Sequence, residues 1–482
     1  MRGTLVAGVD SSTQATKVVV VDPDDGRLVA QGTAPHTVTG AHGARETDPR
    51  EWWSALRTSL AATGRANEVA AIAVGGQQHG LVVLDGAGEP LRKATLWNDT
   101  RPAEDAERLT DMLGADRWAS LTGLRPVASF TVCKWAWLRR TEPVVAGSVA
   151  AIRLPHDYLT ERLTGRGTTD RSDVSGTGWW SPATGEYLPE ILELPGVDLT
   201  PDLLPEVVAP TAAAGAVTSD AAAELGLSAG TLVGPGAGDN AAAALGLGLS
   251  VGQAAMSLGT SGTIYAVSEH PAADASGIVA GFADATGRFL PLAATLNCTQ
   301  AVDRVAAWFG LDRDDVQPAD SVVMLPYFDG ERTPNLPLAS GTIRGLRHAT
   351  TPQQILMAAY EGAVTSLLVA FDAIAAAVGG LDQVAPLMLI GGGARGRTWR
   401  EVVGRLTGRA IAVPDAGELV AIGAAAQATA VLRGEDPAAI ARRWDSAAGT
   451  RLDPVPVDHV RLERVRAVLA ELIADRELRA GT

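Results

Sequence analysis

Cysteine is nearly absent: Cys133 and Cys298 are the only two in 482 residues. They provide neither a disulfide framework nor a metal-type spacing, and they read as buried thiols of a reducing compartment. Lysine is scarce as well, confined to Lys17, Lys93 and Lys134, while arginine supplies the remaining basic charge. Each lysine therefore marks a position where a compact ammonium suits better than a planar fork. There is no basic stripe to offset a formal charge of −15, which argues against nucleic acid as a partner. The apolar part of MRGTLVAGVD is too short for a signal peptide. The longest apolar stretches, such as the alanine-rich run after Asn240, are broken by Gly, Ser and Gln and do not read as membrane spans. A cytoplasmic protein is expected. No short-period repeat is present, which excludes solenoids and propellers. Walker-type and dinucleotide fingerprints are also missing.

What remains is a globular composition, 46% hydrophobic and 20% charged, in a chain too long for one ordinary core. Two domains are expected, residues 1–242 and 243–482. The chain opens with LVAGVD, SSTQAT and KVVVVD, two strand-like runs around a hydroxyl-rich turn. A second unit of the same design begins near Gln253 with QAAMSLG, TSG and TIYAVS. Strands and helices alternate elsewhere, with helices expected at 49–62, 103–113 and 131–140 and a polar terminal helix at 457–480. This alternation predicts α/β layers.

Three glycine-rich turns follow strands: GPGAGDN, SLGTSGT and IGGGARG. Glycine lets backbone N–H groups approach a phosphate with no Cβ in the way, although any one of the three also fits a plain tight turn. Asp10 ends the first strand, ahead of Thr13, Gln14 and Lys17. A carboxylate there suits Mg²⁺ held through water, or alternatively caps the turn. Asp239 in GAGDN is the leading candidate for accepting the proton of an alcohol that attacks a phosphoryl group. The alternative is a helix-capping role. Gln77, Gln78 and His79 in GGQQHG, with Trp97, Asn98, Asp99 and Arg101 in LWNDTR, offer amide, imidazole, indole and carboxylate groups for a polyhydroxylated ligand.

In this order, the motifs resemble those of the FGGY carbohydrate kinases over nearly the whole chain, most closely the xylulose-phosphorylating members. GVDSSTQATK is similar to the family's first phosphate loop, with Ser11 where many members have glycine. Thr131, Lys134, Trp137 and Leu138 fit its first signature, and GTIRGL through Glu361 fits its second. LPHDYLTERLTG, TDRSDVSGT and LPYFDGERTP are also family-like. The resemblance implies an α/β fold of two ribonuclease-H-like (actin-like ATPase) domains with an interdomain cleft. It implies Asp239 as base, with Asp10 supporting Mg²⁺ and phosphates and Asp239 reaching the metal through water. Gln78, His79, Trp97, Asp99 and Asn240 would surround the sugar. Thr13, Gln14, Lys17, Gly259, Thr260 and Ser261 would line the phosphates, and Gly393, Ala394 and Arg397 the adenosine. ATP and Mg²⁺ are the implied cofactors, and a small sugar the implied partner, with no membrane or nucleic acid. A ketopentose, foremost D-xylulose, is the implied acceptor. Ribulose, gluconate or a glycerol-like polyol remain open, as does a nucleotide-switched sugar sensor on the same fold. Monomer and homodimer are both open, and Glu331 and Arg332 carry no assigned role.

Overall fold

The computed structural model describes residues 4–480. The chain forms two compact units. The first comprises residues up to Leu249 together with Ser268–Leu290 and Ala416–Ala447. The second holds Ser250–Val267, Pro291–Asp415 and the segment from Ala448 onward. The expected single boundary after residue 242 therefore differs from the observed division, because two later segments return to the first unit. The reason lies in packing. Helix Leu419–Arg433 closes one face of the first unit's sheet, and no contiguous cut can keep it there.

That sheet has the order Gly215–Ala216, Leu232–Val233, Val69–Gly76, Leu5–Ser11, Ala15–Val21 and Leu28–Pro35, with Ala237–Gly238 continuing beside Val69–Gly76. Leu5–Ser11 is buried at every position, as a strand covered on both faces must be. Helix Pro49–Ala62 covers one face. It starts where the Asp48 carboxylate accepts the Arg50 N–H and Pro49 supplies a preset first turn. Trp52, Leu56 and Leu60 point from it into the core. On the other face Leu419–Arg433 lies so close that a Cβ on Gly8 would stand 1.8 Å from the Ala421 carbonyl oxygen.

The second unit repeats the plan with strands Phe289–Thr295, Gly262–Ala266, Ala254–Leu258, Leu387–Ile390, Ile411–Pro414 and Gly449–Leu452 in that order. Its long helix Pro352–Ala377 begins in a capping box between Thr351 and Gln354. Among the described residues this is the one helix long and apolar enough to cross a membrane, and most of it is buried inside the unit. Both predicted hairpins are present, as Leu5–Ser11 with Ala15–Val21 and as Ala254–Leu258 with Gly262–Ala266. Both cysteines are buried and unpaired.

Candidate active site

Register brings the first unit's chemistry together. Leu5–Ser11 and Ala237–Gly238 both run parallel to Val69–Gly76, with Asp10 opposite Gly75 and Ala237 also opposite Gly75. Asp10, the turn after Gly76 and Asp239 thus leave the sheet at the same carboxyl edge, where open α/β sheets bind ligands. Asp239 is the first residue of helix Asp239–Gly246, and Gly238 occupies the cap position. Its Oδ1 accepts the Asn240 N–H at 2.7 Å and the Asn240 side-chain amide at 2.8 Å. Burial nevertheless lifts its pKa to about 6, against the pull of those two bonds. Asp10 rises further, to about 7. Burial contributes most, Asp239 and Glu418 add to it, and Lys17 opposes it. Its Oδ1 is buried with no hydrogen-bond partner. Two buried carboxyl groups with raised pKa values, one of them Asp10 with its orphaned oxygen, suit a divalent cation held through water.

Gln78 is buried and its Oε1 accepts the Asn240 amide at 3.2 Å, which joins GGQQHG to GAGDN. His79 has a left-handed backbone, φ 66°, unusual for a residue with a side chain. Its Nδ1 lies 3.1 Å from the Gly176 carbonyl, and its ring packs against Phe130 and Phe282. Lys134 is buried completely and donates to the carbonyls of His79, at 3.0 Å, and Ser129. Trp97 stays part-exposed and donates its indole N–H to Thr13 Oγ1 at 3.1 Å, which links the sugar-type loop to the phosphate-type loop. Gln14 is exposed at that loop's tip. Asp99 is different. Its carboxylate is engaged by the Arg101 guanidinium at 2.6 Å and by the Arg45 N–H at 3.0 Å, so it faces a ligand only while shared with arginine.

In the second unit, Ala254–Leu258 and Leu387–Ile390 run parallel with Ser257 opposite Ile390. The turns after them, Gly259–Ser261 and Gly391–Arg395, therefore sit side by side. A Cβ on Gly393 would meet the Leu258 side chain at 2.8 Å. Gly393 and Ala394 are buried, Thr260 is exposed and Ser261 partly so. Arg397 opens helix Arg397–Thr407, with its guanidinium exposed beside Glu401 and the Asp314 carbonyl. Glu331 accepts the N–H groups of Leu296, Asn297 and Arg332, an arrangement that shapes a loop.

Sequence reasoning passed over Glu418, which pairs with Lys17 at 2.8 Å. The available signal was an acid immediately ahead of the alanine-rich helix that packs on the first strand. It also passed over His156 and Ser172, which lie inside the family-like segments LPHDYLTERLTG and TDRSDVSGT.

Residues 5–246 match the N-terminal domain of the FGGY family of carbohydrate kinases, and residues 254–432 match its C-terminal domain. The chain belongs to this family, whose fold is the two-domain ribonuclease-H-like, actin-like architecture. It is 59% identical to a xylulose kinase of Streptomyces rubiginosus and 60% identical to one of Streptomyces coelicolor, each over 97% of this chain and 96% of the relative. The crystal structure of xylulose kinase from Bifidobacterium adolescentis superposes with a TM-score of 0.85 at 38% identity, covering 97% of this chain and all of that one.

Proposed function

We propose that the protein transfers the γ-phosphoryl group of ATP to D-xylulose, giving D-xylulose 5-phosphate and ADP. The observation that carries this reading is the pair Asp10 and Asp239 at one sheet edge, next to the linked Gln78–Asn240 loops. The similarity to xylulose kinases over nearly the full chain supports the acceptor. In the reaction, the Asp239 carboxylate takes the proton of the C5 hydroxyl while that oxygen attacks the γ-phosphorus and the bond to the ADP oxygen breaks. Gln78, His79, Trp97, Asp99 and Asn240 orient the sugar. Thr13, Gln14 and Lys17 contact phosphate oxygens. Gly259, Thr260 and Ser261 supply further N–H and hydroxyl donors to the phosphates, and Gly393, Ala394 and Arg397 receive the adenosine. Asp10, with Asp239 through water, would hold Mg²⁺, which spreads the charge of the transferring group. The cytoplasm is the proposed location, in keeping with two free thiols.

Asp239→Asn keeps the size of the side chain and removes the base. General bases contribute roughly 10²–10⁴-fold, so kcat should fall by about that factor while sugar affinity changes little. Protonation acts in the same direction. In the parent enzyme kcat/KM should decline as pH falls through about 7 to about 6, where Asp10 and Asp239 become neutral. ADP release measured over xylulose, ribulose, gluconate and glycerol tests the acceptor. A much higher kcat/KM for any of the other three removes xylulose from the assignment.

A further inference from the structure

Behind Asp239 lies a buried charged cluster that phosphoryl transfer does not call on directly. The His156 Nε2 sits 3.2 Å from Asp170 Oδ1, 3.3 Å from Asp173 Oδ2 and 3.4 Å from Asp157 Oδ1. All four side chains are buried. Three acidic groups around one nitrogen favour the charged imidazolium by their electrostatic attraction, while burial in turn lifts the pKa of Asp157 to about 6 and that of Asp173 well above the ordinary carboxylate range. Burial pushes His156 down, but Asp157, Asp170 and Asp173 outweigh it and hold the group at about 9.

The cluster reaches the catalytic turn through one side chain. Ser172 Oγ donates to Asp170 Oδ2 at 2.5 Å, and its own N–H donates to the same oxygen at 2.7 Å. With its proton committed to Asp170, the hydroxyl presents only lone pairs to its other neighbour, the Gly238 N–H, which it accepts at 3.1 Å. The Gly238 peptide immediately precedes Asp239. On its other side the space is filled, since a Cβ on Gly238 would lie 2.6 Å from the Gln78 amide. Two residues earlier, Gly236 is clamped in the same manner. Its N–H and carbonyl both bond to the Gln427 amide at 2.8 Å, and a Cβ there would meet the His156 ring at 2.6 Å.

We propose that Ser172 is a positioning residue for the Asp239 base, its hydroxyl polarised by Asp170 and His156 so that it holds the Gly238 peptide in the orientation that aims the carboxylate. This rests on Asp239 being the base. A displacement on the ångström scale at a reacting group can cost 10²-fold in rate, and one misdirected peptide suffices to produce it. Asp239 itself stays intact when Ser172 is changed, as do the sugar and nucleotide contacts, so the loss belongs in kcat.

The test is steady-state kinetics on folded, full-length Ser172→Ala, Asp170→Asn and the double variant, with Asp239→Asn as reference. Asparagine at 170 keeps the shape but competes as a donor toward Ser172, so the hydroxyl no longer turns only lone pairs to Gly238. Ser172→Ala should lower kcat about tenfold or more, leave the KM values for xylulose and ATP within about twofold, and show no further loss when combined with Asp170→Asn. A merely structural role would instead lower thermal stability and raise both KM values, and the two substitutions would multiply. That pattern, or a Ser172→Ala kcat within about twofold of the parent while Asp239→Asn is inactive, overturns the inference alone. An active Asp239→Asn enzyme overturns the base assignment and this inference with it.

Discussion

Lys17, Lys93 and Lys134 are held in three different ways. Lys93 reaches the hydroxyl of Thr39 in an exposed setting. Lys134 is buried, pushed down to about 7 by desolvation, and bonds only to carbonyl oxygens. Lys17 pairs with Glu418 one strand away from Asp10, with both side chains about one-third exposed. A half-open pair of this kind contributes little to stability, which leaves the ammonium available for another anion. If that anion is a nucleotide phosphate, Lys17→Met removes a charge-assisted hydrogen bond worth roughly 1.5–3 kcal/mol. The KM for ATP should then rise about tenfold or more with xylulose KM unchanged. Initial-rate kinetics varying each substrate separately decide this, and a rise confined to xylulose would contradict it. The scarcity of lysine made all three visible in the sequence. It could not tell the buried lysine from the exposed ones, because burial depends on partners far away along the chain.

Among elements, helix Pro155–Thr164 and strand Thr168–Asp170 set the His156 cluster. His156 and Asp157 come from the helix's first turn, Asp170 from the strand's end and Asp173 from the short turn after it. The folded imidazole, at about 9, holds its proton more tightly than an unfolded histidine near 6.5. Its stabilising contribution is therefore complete below about 6.5 and is lost as pH rises through about 9, a span of about 3 kcal/mol. Lys134 works in the opposite sense, since its folded value lies below its unfolded one. The useful quantity is accordingly the difference between the parent and His156→Gln. Denaturant unfolding should show that difference shrinking steadily from pH 6.5 to 9.5, and a constant difference would remove the imidazolium from the account. The segments carrying these residues were recognisable as family-like. Their joint purpose was not, because three acids gather around one nitrogen only after strand and helix have formed. Glu418 was hidden for the same reason, 401 residues from Lys17 in sequence. The hairpins, by contrast, were legible because a hairpin's partners are neighbours along the chain.

At the scale of the whole molecule, alternation and duplicated hairpins anticipated two α/β domains, while the way the chain is shared between them was out of reach of a single boundary. Ala416–Ala447 belongs to the first unit, and its helix approaches Gly8 and Gly246 backbone to backbone. Such a contact has no substitute in solvent or in a looser neighbour. During synthesis, strand Leu5–Ser11 leaves the ribosome long before Leu419–Arg433 exists. At about 5–20 residues per second, the interval is roughly 20–80 s. Throughout it the nascent sheet exposes an apolar face of Val and Ala with nothing to cover it, a state open to chaperones and to aggregation. A chain halted after Asp415 should therefore remain in inclusion bodies or chaperone-bound. Separate expression of residues 1–415, followed by fractionation and a xylulose thermal-shift assay, checks this. A soluble, sugar-binding fragment would mean that the first unit closes without its late helix. Translation speed along the message between strand Leu5–Ser11 and helix Leu419–Arg433 then becomes a determinant of yield, since it sets how long the oldest part of the protein waits for its final piece.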